Sequence, residues 1–168
     1  MIRFGFIGTG RISDWVFKGA SEDSRIKVTA ICSRTKEAAK AFIERHPEIA
    51  GARIYTSVEE LANDPDIDAV YIGTPNQTHH AYAITALNAG KHVLCEKPFS
   101  VTGDEAREMA AAARANGKLL MEAMISTFNP NFRAFAEHVK DAAPLRQYHS
   151  SYCQYSSRYE DLKNGITA

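Results

Sequence analysis

The sequence has no surplus of charge of either sign: Lys and Arg total 20, and Asp and Glu total 20. General nucleic-acid binding needs a clustered basic excess to neutralise phosphates, so no such partner is expected. No apolar run approaches the roughly 20 residues that span a bilayer, so no membrane partner is expected either. The opening "MIRFGFIGTG" lacks the basic segment, long apolar core and small-residue cleavage site of a secretory leader. Cysteine is scarce, with three residues (Cys32, Cys95 and Cys153) and no CxxC pair. That pattern suits reduced thiols and excludes a disulfide framework, and together these signals point to the cytoplasm. The three thiols are expected to be small buried hydrophobes, and no residues converge in sequence as metal ligands. Internal repeats and low-complexity tracts are also lacking.

What the chain does have is alternation. Apolar, β-branched runs at 2–8, 27–34, 53–57, 67–75, 91–98 and 118–125 read as strands. Helical patterns lie between them at 11–20, 35–46, 58–64, 79–90 and 103–117. Ser57 is placed to cap the third helix, Gly90 and Gly117 to end the last two, and Pro47 to stop the second. Strands and helices alternating at this pitch predict an α/β fold: a Rossmann-type, doubly wound parallel sheet over residues 1–125. The near-continuous apolar runs suit strands buried on both faces. After about residue 126 the pattern changes. Residues 129–142 read as a helix, and 145–159, with Tyr148, Tyr152, Tyr155 and Tyr159, alternate like a strand of another sheet. Residues 126–168 are therefore read as the beginning of a second α/β domain.

The first strand runs into "GTGRIS" and then a helix. In that context Gly8 permits a tight turn, and Gly10 leaves room for a pyrophosphate against backbone N–H groups and the helix start. Thr9, Arg11 and Ile12 complete this candidate cofactor-binding turn. Ser13 stands at the third glycine position, small enough for helix–strand packing. The alternative is an ordinary glycine turn. A second-strand carboxylate commonly grips the adenosine ribose of NAD. Here the strand ends "CSRTK", and the first acid is Glu37. Ser33 and Arg34, with Lys36 nearby, suit a 2′-phosphate better, since arginine binds phosphate in a bidentate fork. NADP is therefore expected ahead of NAD, against the alternative of a solvated loop arginine.

The segments "GFIGTGRIS", "DAVYIGTPNQTHHAYAITALNAGKHVLCEKPFS" and "LLMEAM" resemble the glucose–fructose oxidoreductase and inositol dehydrogenase (Gfo/Idh/MocA) family. The likeness extends to about residue 160, and the "TPNQTHH…CEKP" block is its most specific part. It implies a pyridine-nucleotide oxidoreductase acting on a sugar, polyol or dihydrodiol. It further implies a C-terminal domain with an open, mainly antiparallel sheet that commonly joins subunits, and hence a homo-oligomer. Thr74, Pro75, Asn76 and His79 would line the diphosphate and nicotinamide side, Glu96 would sit at the nicotinamide ribose, and Lys97 would be the catalytic lysine. The Lys97–Pro98 peptide would be cis. The family's later DxxxH-type pair has no counterpart, since His138 and His149 lack its context, and Thr127 replaces an arginine often found in "EAMISTF". Family chains run to about twice this length, as an intact substrate domain of ordinary size requires.

Lys97 has competing readings: a solvated loop lysine, a partner for Glu96, or a catalyst that stabilises a developing alkoxide. Its place at the carboxyl end of a strand, on the rim of Gly8 and Thr74, favours the last. His79 is the better cofactor-side candidate of the adjacent pair, while His80 is left to the helix surface. For the chain as a whole, the alternative to an enzyme is a non-catalytic NADP-binding module.

Overall fold

The apolar runs become a single sheet. Its strands are β1 (Ile2–Ile7), β2 (Ile26–Cys32), β3 (Arg53–Tyr55), β4 (Ala69–Ile72), β5 (His92–Cys95) and β6 (Leu120–Glu122). The order is β3-β2-β1-β4-β5-β6, and every pairing is parallel. The computed structural model describes residues 1–141, 144, 146, 147, 149, 151, 153 and 159–165. The chain divides into two compact units, Met1–Ile125 and Ser126–Ala168.

Alternation along each strand sends side chains to two helical layers. On one face, α1 (Arg11–Ser21) and α2 (Lys36–Arg45) bring Phe17, Ala39 and Phe42 against Phe6, Val28, Ile31 and Tyr71. On the other, α3 (Val58–Ala62), α4 (His79–Asn88) and α5 (Gly103–Ala115) bury Leu61, Leu87 and Met109 against Ile7, Val70, Ile72 and Val93. The caps follow local chemistry. Ser57 Oγ accepts from Glu60 N, and Thr35 and Thr102 cap α2 and α5 in the same way. Gly90 and Gly117 follow their helices with φ of 76° and 61°.

The strands are shorter than the apolar runs. Over 67–75 the regular strand is Ala69–Ile72; Asp68 N still donates to Arg3 O, and the Asp68 carboxylate accepts from the N–H of Arg3 at 2.8 Å. Over 118–125 only Leu120–Glu122 pair. Ala123 N still donates to Cys95 O, but Met124 N turns back to Glu122 O, and α6 (Ile125–Phe128) begins.

In the second unit the expected helix is α7 (Pro130–Asp141), started by Asn129, whose Oδ1 accepts from Asn131 N and Phe132 N. The strand expected over 145–159 lies mostly outside the described residues, as do Tyr148, Tyr152 and Tyr155. Residues 146, 147, 149, 151 and 153 have no regular structure, and Tyr159 opens a helix, α8 (Tyr159–Lys163). An i,i+3 pair between Glu160 and Lys163 suits that helix.

Cys32 and Cys95 are buried as expected, and burial pushes their thiols up to about 11 and about 12. Cys153, off the sheet, is exposed, against expectation. Among the described residues no helix is long and apolar enough to cross a membrane, and no group of three or more His, Cys, Asp or Glu is placed to hold a metal.

Candidate functional site

Parallel register determines which residues share an edge. Ile7 pairs with Cys32 and with Ile72, Ile72 with Cys95, and Cys95 with Glu122. The ladder continues one step further: Gly8 N donates to Cys32 O, Gly73 N to Ile7 O, and Glu96 N to Ile72 O. Thus the segments beginning at Gly8, Ser33, Gly73 and Glu96 leave the sheet along one carboxyl rim. Strand order reverses between β1 and β4, the place where open α/β sheets bind ligands.

At that reversal Gly8 has φ +106°, and a Cβ there would stand 2.5 Å from the carbonyl oxygen of Gly73. The turn therefore needs glycine for its own geometry. Gly10 differs: its φ is −79°, and an added Cβ would meet no protein atom within 4 Å. Nothing in the fold demands glycine there, which fits a position kept open for a ligand. Ser13 N and Asp14 N bond to Gly10 O, whereas the N–H groups of Arg11 and Ile12, at the head of α1, have no partner within the helix. Below them Ser13 is fully buried. Its Oγ makes no well-formed hydrogen bond, although it lies close enough to Tyr71 to ease ionisation of that phenol slightly.

The rim's surroundings hold this turn in place. Thr9 Oγ1 and Ser33 Oγ are 3.1 Å apart, tying the first turn to the end of β2. Asp14 accepts from Arg45, and its oxygen lies 2.8 Å from His46 Nε2, while Arg45 also reaches Thr9 O at 3.4 Å. The acid in the first turn of α1 is thereby occupied. Arg11, Arg34 and Lys36 are exposed and make no ion pair among the described residues. Free N–H groups at a helix start, an open Gly10 and unpaired cations after β1 and β2 fit the phosphates of NADP.

After β4, Thr74 and Pro75 lead into a 3₁₀ turn, Asn76–Thr78. Thr78 Oγ1 donates to Pro75 O, so the 2.7 Å contact between the two threonine hydroxyls makes Thr74 the donor to Thr78. Asn76 is exposed at the tip. After β5, Glu96 is buried: its Oε1 accepts from the Tyr71 hydroxyl at 3.2 Å and its Oε2 from Lys97 N at 3.1 Å. Burial, then the charge of Glu96, pushes the Tyr71 phenol upward, so this bond keeps its proton on tyrosine. Lys97 is exposed and forms no ion pair with Glu96 or any other described carboxylate, and Lys97–Pro98 is cis.

His79 departs from the expectation of a cofactor-lining side chain. It opens α4 and is fully buried, with Nδ1 2.9 Å from Pro98 O and Nε2 2.9 Å from Thr74 O. Both ring nitrogens face main-chain carbonyls at hydrogen-bond distance. His80 points elsewhere, its Nε2 2.8 Å from Glu108 Oε2.

Sequence reasoning missed two supports of this rim. Tyr71 positions Glu96, and Glu122 Oε1 accepts from Phe99 N at 3.0 Å. A lone carboxylate inside the apolar run "KLLMEAMI" was the available signal for Glu122; Tyr71 reads as an ordinary core aromatic.

A family described as "Oxidoreductase family, NAD-binding Rossmann fold" (GFO_IDH_MocA) matches residues 2–124. The chain belongs to this family. It is 43% identical over 165 residues to scyllo-inositol 2-dehydrogenase (NADP(+)) IolU of Bacillus subtilis, covering 98% of this chain and 49% of that one. It is 41% identical over 135 residues to trans-1,2-dihydrobenzene-1,2-diol dehydrogenase of Bos taurus, covering 79% and 39%. Among solved structures, KijD10, a 3-ketoreductase from Actinomadura kijaniata in complex with NADP and TDP-benzene, superimposes with a TM-score of 0.76 at 35% identity, covering 83% and 42%. This chain therefore spans about half the length of these Gfo/Idh/MocA relatives or less.

Proposed function

We propose that the chain is the NADP(H)-binding half of a cytoplasmic oxidoreductase acting on a hydroxyl or carbonyl of a sugar, polyol or dihydrodiol. The observation that carries this reading is the shared rim, where the Gly8–Ile12 turn, Ser33–Arg34, Thr74–Asn76 and Glu96–Lys97 all emerge. Gly8, Thr9, Gly10, Arg11 and Ile12 would take the diphosphate, Ser33 and Arg34 the 2′-phosphate, and Thr74, Pro75 and Asn76 the nicotinamide side. NADP would supply the acceptor or donor of hydride. The same rim would serve NAD with one group fewer to bind. Lys97, an exposed cation beside that position, would hydrogen-bond the reacting oxygen and stabilise its negative charge as the hydroxyl proton leaves. Buried Glu96 would orient Lys97 through its backbone N–H and stay close to the nicotinamide ribose.

In this reading residues 1–125 are the cofactor domain. Residues 126–168 begin a substrate and oligomerisation domain with a mainly antiparallel sheet, through which a homo-oligomer would form. The dehydrogenase and ketoreductase names of the relatives support the reaction class.

Titration with NADPH and NADH, followed by hydride-transfer assays on a panel of polyols, tests the proposal. Tighter NADPH binding is expected. Lys97→Ala should lower turnover by about 100-fold while leaving NADPH affinity within about threefold. Binding without turnover on any polyol would favour a non-catalytic NADP module. Binding of neither nucleotide would defeat both readings.

A further inference from the structure

We propose that His79 is a positioning residue for Lys97, acting through the main chain on either side of the cleft. The inference rests on Lys97 standing beside the nicotinamide in the reading above.

His79 begins α4 beneath the rim and is fully buried. Its ring lies between two loops. Nε2 is 2.9 Å from the carbonyl of Thr74, where β4 gives way to the Thr74–Asn76 turn. Nδ1 is 2.9 Å from the carbonyl of Pro98, one peptide beyond Lys97. Carbonyl oxygens only accept, so each contact that forms is an N–H donated by the ring, and a neutral ring serves one at a time. A buried ring with both nitrogens aimed at backbone acceptors is built to hold chain and not ligand.

Lys97 needs such a support. Its side chain is exposed and ion-pairs with no described carboxylate, so its placement depends on the backbone that carries it. Four side chains touch that backbone. Glu96 Oε2 takes Lys97 N, Glu122 Oε1 takes Phe99 N, Cys95 Sγ lies 3.8 Å from Phe99 O, and His79 faces Pro98 O. The first lies next to Lys97 in the chain, and the second ties the loop to β6. Of the four, only His79 also faces the Thr74 turn. One ring therefore fills the space between the lysine loop and the loop proposed to flank the nicotinamide, within hydrogen-bond reach of both and donating to one or the other. A displacement of about 1 Å at such a distance is enough to cost about 100-fold in a reaction that depends on alignment.

Competitive acylation of the lysines, read by mass spectrometry with and without saturating NADPH, tests this without relying on turnover. In the unaltered chain NADPH should slow acylation of Lys97 at least about tenfold, the difference expected of a group held against bound cofactor. In His79→Phe, which keeps a ring but no donor, protection should fall below about twofold at saturation, with NADPH affinity within about threefold because the glycine turn is untouched. Buried Lys91 should stay unreactive in both, which separates lost positioning from lost folding. His79→Asn, which retains a donor, should show intermediate protection. Full protection of Lys97 in His79→Phe overturns the inference. Should that variant fail to fold, full protection in His79→Asn overturns it and a loss of at least about threefold supports it. If NADPH binds the unaltered chain without shielding Lys97, the placement of Lys97 itself is wrong, and the inference falls with it.

Discussion

Gly8 and Gly73 approach so closely that a Cβ on Gly8 would stand 2.5 Å from the Gly73 carbonyl oxygen. With φ +106° at Gly8, the first turn has both a steric and a conformational need for glycine. Gly8→Ala should destabilise the chain by about 1–3 kcal/mol, seen as a lower urea midpoint. Gly10→Ala should leave stability within about 0.5 kcal/mol, since its φ of −79° is ordinary and the space above it is open. Nucleotide titration should nevertheless show NADPH affinity at least about tenfold weaker in Gly10→Ala, because the methyl would occupy the place of the diphosphate. The two glycines thus separate folding from binding.

Arg34 follows the end of β2, is exposed and has no ion-pair partner among the described residues. Arg34→Ala should weaken NADPH binding by about 10–100-fold, the worth of hydrogen bonds to a charged group, while NADH affinity changes by less than about twofold. Thermal unfolding should be unaffected. Equal losses for both nucleotides would show that the arginine does not read the 2′-phosphate.

Lys91 is buried at the amino end of β5, the opposite edge from the site, and its Nζ donates to Asp64 O and Ile67 O, each at 2.7 Å. Lys91→Met keeps the stem and removes both donors. It should cost about 2–4 kcal/mol in chemical denaturation, because buried carbonyls lose their partner. NADPH affinity of the folded fraction should be unchanged.

Asp68 accepts hydrogen bonds from the guanidinium and the backbone N–H of Arg3, which hold its carboxyl well below its ordinary value of 3.8. A carboxylate depressed on folding adds stability that is present above that ordinary value and is lost as pH falls towards the depressed one. Urea midpoints measured from pH 7 down to 3 should therefore decline most steeply below about pH 4. Asp68→Asn should lower the midpoint at pH 7 and flatten the decline.

Much of this was legible from local chemistry. The Gly8 turn, the cap at Ser57, and the alternation of strand and helix each depend on residues a few positions apart. The pattern ran past the strand ends where the backbone turned away: Met124 N folds back to Glu122 O, so β6 ends early. His79 was legible as a residue of the rim, but not its burial between the carbonyls of Thr74 and Pro98.

The sequence by itself determined the parallel α/β architecture, the family and the cluster of candidate residues, because periodicity and motif spacing are local properties. Only the tertiary structure decided that Gly10 is open while Gly8 is crowded, and that Glu96 and His79 are buried while Lys97 is exposed. Those distinctions depend on which carbonyls and hydroxyls parallel register brings to one rim. No spacing along the chain can state that.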